Sequence, residues 1–171
     1  LNQKAIHKPS AQHVLDDDYY KRIEAIQFTM SHDDGKKVDD IENADVILLG
    51  VSRTSKTPTS IYLANRGYKT INIPLVLEQK IPKDLISNTK ACIVGLVADP
   101  ERLADIRRNR VAIMKDNKLT EYTNLEFIKK EIIDSKNLFK KNNWPIIDVT
   151  RRSVEETAAS ILKIIEIKKN K

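Results

Sequence analysis

The stretch GVSRTSKT, Gly50 to Thr57, follows the phosphate-loop pattern G-x-x-x-x-G-K-[ST] except that Ser55 stands where the second glycine belongs. Such a loop binds anions. Backbone N–H groups converge on a phosphate, a helix N-terminus follows, and a lysine reaches the terminal phosphate. Gly50 provides a tight exit from a strand, Lys56 is placed to reach a β-phosphate, and the Thr57 hydroxyl is suited to hold a metal ion. After Val51, the side chains of Ser52, Thr54 and Ser55 add hydroxyl donors, and Arg53 adds a second cation. A left-handed backbone at Ser55 would cost about 1 kcal/mol or more relative to glycine, which a loop can bear. The other reading of the same residues is a capped strand-to-helix turn that carries an incidental lysine.

Further groups suited to chemistry lie elsewhere in the chain. In VADPERLADIRRNRV, Asp99 reads as an N-cap and Pro100 as the first helical residue. At 100° per residue Arg107 falls beside Leu103, and Arg110 falls between Leu103 and Ile106. A core-facing guanidinium must find an anion, either a carboxylate on a neighbouring helix or a bound phosphate. In HDDG, Asp33 and Asp34 follow His32 at the end of a helix, with Gly35 as the expected left-handed stop residue. Adjacent carboxylates are unfavourable at a helix C-terminus. The pair suits the deprotonation of a hydroxyl or the holding of Mg²⁺, and equally a solvated stop. Asp148, Thr150, Arg151 and Arg152 read as turn and cap residues, with Ser153 and Glu156 forming a capping box.

These residues need a scaffold, and the sequence predicts one. Apolar runs at Asp45–Leu49, Lys69–Ile73, Ala91–Val97 and Pro145–Val149 are continuous, the pattern of parallel strands covered on both faces. Helical patterns at Thr57–Arg66, Pro100–Arg110 and Asn124–Lys141, and one from Ser153, alternate with them. That order predicts an α/β fold, a three-layer, doubly wound and mainly parallel sheet with ligands at the carboxyl ends of its strands. Upstream, Tyr19, Ile23, Ile26 and Met30 recur at helical spacing behind an Asp18 N-cap, whereas residues 1–17 are polar and aperiodic and His7 and His13 carry little information. The expected division is an arm and helix with the acidic turn over residues 1–43 and a nucleotide-binding α/β domain over 44–171.

Composition excludes several classes. A chain of 171 residues that is 40% hydrophobic is long enough and apolar enough for one ordinary core. Its apolar runs are too short to span a membrane. One cysteine, Cys92, excludes a disulfide scaffold, reads as a core residue and implies a reducing, cytoplasmic setting. A net charge of +6, carried partly by the lysine-rich tail, suits an anionic ligand or nucleic acid. Aromatic content of 5% argues against stacking-based recognition of single strands. A start at Leu1 reads as a fragment or a processed chain.

Taken together, HVLDDDYYKRIEAIQFTMSHDDG, ADVILLGVSRTSKTPTSIYLANRGYKTINIPL, GLVADPERLADIRRNRV and WPIIDVTRRSVEETA resemble the bacterial pyruvate, phosphate dikinase regulatory proteins and the related phosphoenolpyruvate synthase regulatory proteins. The likeness covers nearly the whole chain, with four motifs in family order. Some family members also carry a non-glycine residue before the loop lysine. Family members have a further N-terminal domain with its own Ser/Thr-Gly-rich motif, so the expectation is that this chain begins after it. The resemblance implies a bifunctional enzyme. It phosphorylates a threonine of the dikinase with ADP, and it removes that phosphate with inorganic phosphate, releasing pyrophosphate. It also implies that Gly50 to Thr57 bind ADP. Extended onto this sequence, Lys56 neutralises the β-phosphate and Thr57 helps to hold Mg²⁺. Asp33 or Asp34 orients or deprotonates the target threonine, and Arg107 and Arg110 steady the transferring phosphoryl group or the attacking phosphate. The synthase as target, a small-molecule kinase, a nucleotide- or RNA-binding module and a homo-oligomer remain open alternatives.

Overall fold

The computed structural model describes residues 17–35, 40–76, 90–114 and 120–170. The four apolar runs become β1 (Val46–Gly50), β2 (Thr70–Pro74), β3 (Cys92–Val97) and β4 (Ile146–Asp148), all parallel, in the order β2-β1-β3-β4. β1 shows why these strands are continuously apolar. Val46 and Leu48 join one buried cluster with Leu63, Ala158, Ile161 and Ile165, while Ile47 and Leu49 join a second with Ile71, Ile73, Val97 and Phe139. Alternate side chains therefore meet a core on each face, and a polar residue would be buried wherever it fell. Helices cover both faces, giving the three-layer α/β architecture expected.

The helices are α1 (Asp17–Ser31), α2 (Lys56–Ala64), α3 (Pro100–Met114), α4 (Thr120–Thr123), α5 (Leu125–Lys141) and α6 (Val154–Lys169). α2 starts at the loop lysine and ends in a Schellman turn, Tyr68 N–H to Leu63 O and Gly67 N–H to Ala64 O, with Gly67 left-handed at φ 85°. α6 opens with the expected Ser153–Glu156 capping box. Asn124 caps α5 by accepting from the Glu126 and Phe127 amides.

α1 differs from its sequence pattern. Asp18 lies inside the helix rather than at its cap, and Tyr19, Ile23 and Met30 are exposed. The buried face carries Ala25 and Thr29 instead. This helix covers the edge strand β2: the Thr29 hydroxyl accepts from the Thr70 N–H at 3.0 Å, and the His32 carbonyl accepts from the Asn72 N–H at 3.4 Å. Satisfying an open strand edge requires a small residue and a hydroxyl at close range, which an apolar stripe cannot supply. The polar stretch 1–16, with His7 and His13, lies outside the described residues.

The chain runs from β1 outward to β2, then crosses to β3 on the other side of β1. The topological switch point is therefore between β1 and β3, and the loops leaving their carboxyl ends flank the crevice where ligands bind in such sheets.

Candidate active site

The loop after β1 is built around one carbonyl. Thr54 is fully buried and its hydroxyl donates to Val51 O at 2.9 Å; Lys56 Nζ donates to the same oxygen at 2.9 Å. The Val51 side chain belongs to the core, so only its backbone takes part. Gly50 cannot be replaced without movement, because a Cβ there would stand 2.6 Å from Leu96 O and 2.7 Å from Thr54 Oγ1. Arg53 and Ser55 both have left-handed backbones, φ 72° and 57°. Ser55 thus occupies the conformation that the missing glycine would have taken, and as N-cap of α2 it makes no side-chain cap bond. The first helical bond of α2 runs from Thr59 N–H to Ser55 O. The amides of Ser55, Lys56 and Thr57 precede that bond and have no intrahelical partner, and Pro58 has none to offer.

Lys56 is 5% exposed. Burial lowers its pKa to about 8, with Arg107 pushing the same way and the Asp34 carboxylate opposing them. Asp34, not the expected Gly35, is the left-handed residue of the acidic turn, at φ 54° and ψ 34°; a short side chain that bonds locally tolerates that region. The two carboxylates divide. Asp33 Oδ1 accepts from Thr57 Oγ1 at 3.0 Å and from Asn72 Nδ2 at 2.6 Å, and the same amide donates to Thr57 Oγ1 at 2.9 Å. Asp34 is exposed and lines the cleft. His32 is buried and stacks on Phe28, with ring centroids 4.1 Å apart.

A cleft of about 420 Å³ opens beside this loop, with Asp34, Ser52, Arg53, Ser55, Lys56, Thr57, Arg110 and Tyr122 among its lining residues. Arg110 is exposed and faces it, but Arg107 does not line it. Of the two readings of Arg107, the structure has the salt bridge. Its Nη1 lies 2.7 Å from Glu131 Oε2 on α5, and its side chain is 1% exposed. It also donates to Tyr122 O and to Ser52 O, both at 3.2 Å, and lies over the Tyr122 ring at 4.7 Å. Turned inward on the core side of α3, this guanidinium buttresses the loop backbone from behind the cleft.

Among the described residues, no three or more His, Cys, Asp or Glu side chains gather into a metal cage. The donors available at the loop, the Thr57 hydroxyl with Asp33 and Asp34, are hard oxygens, the set that fits Mg²⁺ shared with substrate phosphates. Three residues of the site escape the sequence patterns. Asn72 leaves one trace, an amide between Ile71 and Ile73 in a buried strand. Tyr122 sits on a single helical turn with no periodicity to mark it, and Glu131 is one of many charges on an amphipathic helix. Asp148, Thr150, Arg151 and Arg152 do form a turn, in which Thr150 N–H donates to Asp148 Oδ1 at 2.9 Å.

Comparison with known proteins adds an independent line. The profile of the kinase/pyrophosphorylase family matches residues 1–162. A protein of Pelagibacter ubique (strain HTCC1062), provisionally named a pyruvate, phosphate dikinase regulatory protein, is 66% identical over 171 residues, covering 99% of this chain and 62% of its own length. Proteins with the same provisional name from Erythrobacter litoralis (strain HTCC2594) and Maricaulis maris (strain MCS10) are 51% identical over 164 residues and 49% over 170. These alignments take in 96% and 99% of this chain and 59% and 61% of the relatives. The chain spans about three fifths of the length of these curated relatives.

Proposed function

This chain belongs to the kinase/pyrophosphorylase family, and from that premise we propose that it carries the nucleotide site of a regulatory enzyme acting on pyruvate, phosphate dikinase. The enzyme transfers the β-phosphoryl group of ADP to a threonine of the dikinase, and it removes that group with inorganic phosphate to give pyrophosphate. One observation carries the reading above the rest. At the switch point of a parallel sheet, a loop with two left-handed residues leads into α2, and its buried lysine borders a cleft shared with Asp34, Thr57 and Arg110.

In the forward direction the threonine oxygen attacks the β-phosphorus, the bond to the bridging oxygen breaks, and AMP leaves with that electron pair. Asp34, the carboxylate facing the cleft, takes the hydroxyl proton. Lys56 and the orphan amides of the α2 N-terminus neutralise the charge on the transferring group, and Arg110, which lines the same cleft, steadies it. Asp33 orients Thr57 and thereby the first turn of α2. In reverse, orthophosphate takes the place of the AMP phosphate, attacks the phosphothreonine phosphorus and expels the threonine oxygen, which recovers its proton. Thr57 with Asp33 or Asp34 would hold Mg²⁺, which would neutralise phosphate charge.

The test uses ADP labelled in the β-phosphate and both candidate targets, the dikinase and phosphoenolpyruvate synthase. Label appears on a threonine of the dikinase; label on neither protein overturns the reading, and label on the synthase alone redirects it. Lys56→Ala abolishes ADP binding while the fold persists, whereas Asp34→Asn reduces transfer far more than ADP affinity. Unchanged ADP affinity in Lys56→Ala reduces the loop to an ordinary turn.

A further inference from the structure

Beyond the nucleotide cleft, the carboxyl ends of β3 and β4 carry a second opening of about 530 Å³, lined by Arg53, Arg102, Arg151 and Arg152 together with Ser55 and Thr150. We propose that this cleft binds a phosphate dianion of its own, beside the nucleotide phosphates and independently of them. Four arginines line it, and among the described residues none of the four has a carboxylate within salt-bridge range, although Asp99, Glu101 and Asp148 border an adjoining opening with Arg102, Arg151 and Arg152. Arg152 donates only to a neutral partner, Ser160 Oγ, at 2.9 Å.

Of the three acidic residues nearby, Asp99 and Asp148 have other engagements, and the exposed Glu101 pairs with none of the four arginines. Asp99 caps α3 by accepting from the Arg102 N–H at 2.9 Å. Asp148 accepts from the Thr150 N–H and from its hydroxyl, and that hydroxyl accepts from the Asp99 N–H at 2.9 Å. This Asp148–Thr150–Asp99 chain ties the β4 turn to the start of α3, and so holds Arg151 and Arg152 across from Arg102. Positive charges gathered without a directly paired carboxylate repel one another, and the guanidinium fork matches the oxygens of a phosphate better than an ammonium does. Arg53 and Ser55 border both clefts, so the two sites adjoin. Arg102, Arg151 and Arg152 do not line the nucleotide cleft, so a phosphate seated on Lys56 leaves them unused.

The experiment measures orthophosphate binding calorimetrically, with and without saturating ADP, in the parent chain, in Lys56→Ala and in the double variant Arg102→Gln/Arg151→Gln. Binding is expected to persist with ADP present and in Lys56→Ala, and to weaken about tenfold or more in the double variant. Because both arginines are exposed, the variant should keep its melting temperature and its ADP affinity. Displacement by ADP, loss in Lys56→Ala, indifference to the double substitution or absence of binding overturns the proposal. A phosphothreonine peptide used as a second probe separates the sources: tighter binding than orthophosphate identifies a phosphoester on a protein, and weaker binding identifies the free ion. Should ADP fail to bind at all while orthophosphate behaves as stated, the nucleotide reading falls and this site remains.

Discussion

Lys56 holds its proton less firmly than an ordinary lysine, and the consequence depends on what else is bound. Below pH about 8 the ammonium is charged in both folded and unfolded chains, and the penalty of burying it is carried in full. Between about 8 and 10.5 the unfolded chain holds more protons, so stability should rise with pH, by on the order of 3 kcal/mol across the window. A diphosphate favours the charged form, so ADP affinity should move the other way. Calorimetry at pH 7 and pH 9 should find binding weaker by about tenfold at the higher value, with protons taken up on binding near pH 8.5. Equal affinity at both values would separate the ammonium from the ligand. At this scale much of the site was legible. A chain needing φ > 0 at position 55 was implied by the glycine that the loop pattern requires there, and Ser55 adopts it. Asn72 was not legible as a functional residue, because its partners Asp33 and Thr57 are 39 and 15 residues away and only the fold brings them together.

Among the elements, α3 and α5 are joined by a buried ion pair that also supports the loop. Removing the carboxylate leaves a guanidinium that is 1% exposed without its counter-charge. Glu131→Ala should therefore lower unfolding free energy by about 3–5 kcal/mol in urea denaturation. Because Arg107 also donates to Ser52 O, ADP affinity should fall in the same variant even though Glu131 itself does not line the cleft. A loss below about 1 kcal/mol would show that the pair is replaceable by solvent. The sequence carried the choice between salt bridge and phosphate clamp but not its outcome, since helical periodicity places Arg107 on the inner face without saying what stands opposite. The helix α1 was legible, but its covered face was not, for a related reason. Its apolar stripe is the more conspicuous pattern, yet the strand edge it covers selected Ala25 and Thr29.

For the molecule as a whole, continuous apolar strands and alternating helices were enough to give a parallel three-layer sheet, because burial on both faces leaves that signature in every strand. Strand order was not legible. The sequence has no marker for the crossover that puts β3 beside β1, and this crossover creates the crevice. The sheet interior offers a test of how tightly the layers are set. Phe139 of α5 is fully buried, and its ring occupies the space where a side chain at Gly95 of β3 would stand. Phe139→Ala should lower stability by about 3–5 kcal/mol, read as a fall in the urea midpoint with an unchanged slope. A changed slope would mean that the layers separate rather than retain a void.

The mooring of the loop lysine on a backbone oxygen bears on what the cleft will accept. That bond uses one of the three ammonium N–H donors and steadies the other two, so an arriving guest meets a held donor pair rather than a swinging side chain. The diphosphate proposed as its ligand would offer such a pair several charged oxygens at once. On that reading the tether sets the cleft for guests with several charged oxygens, a diphosphate or orthophosphate alike, and against singly charged ions.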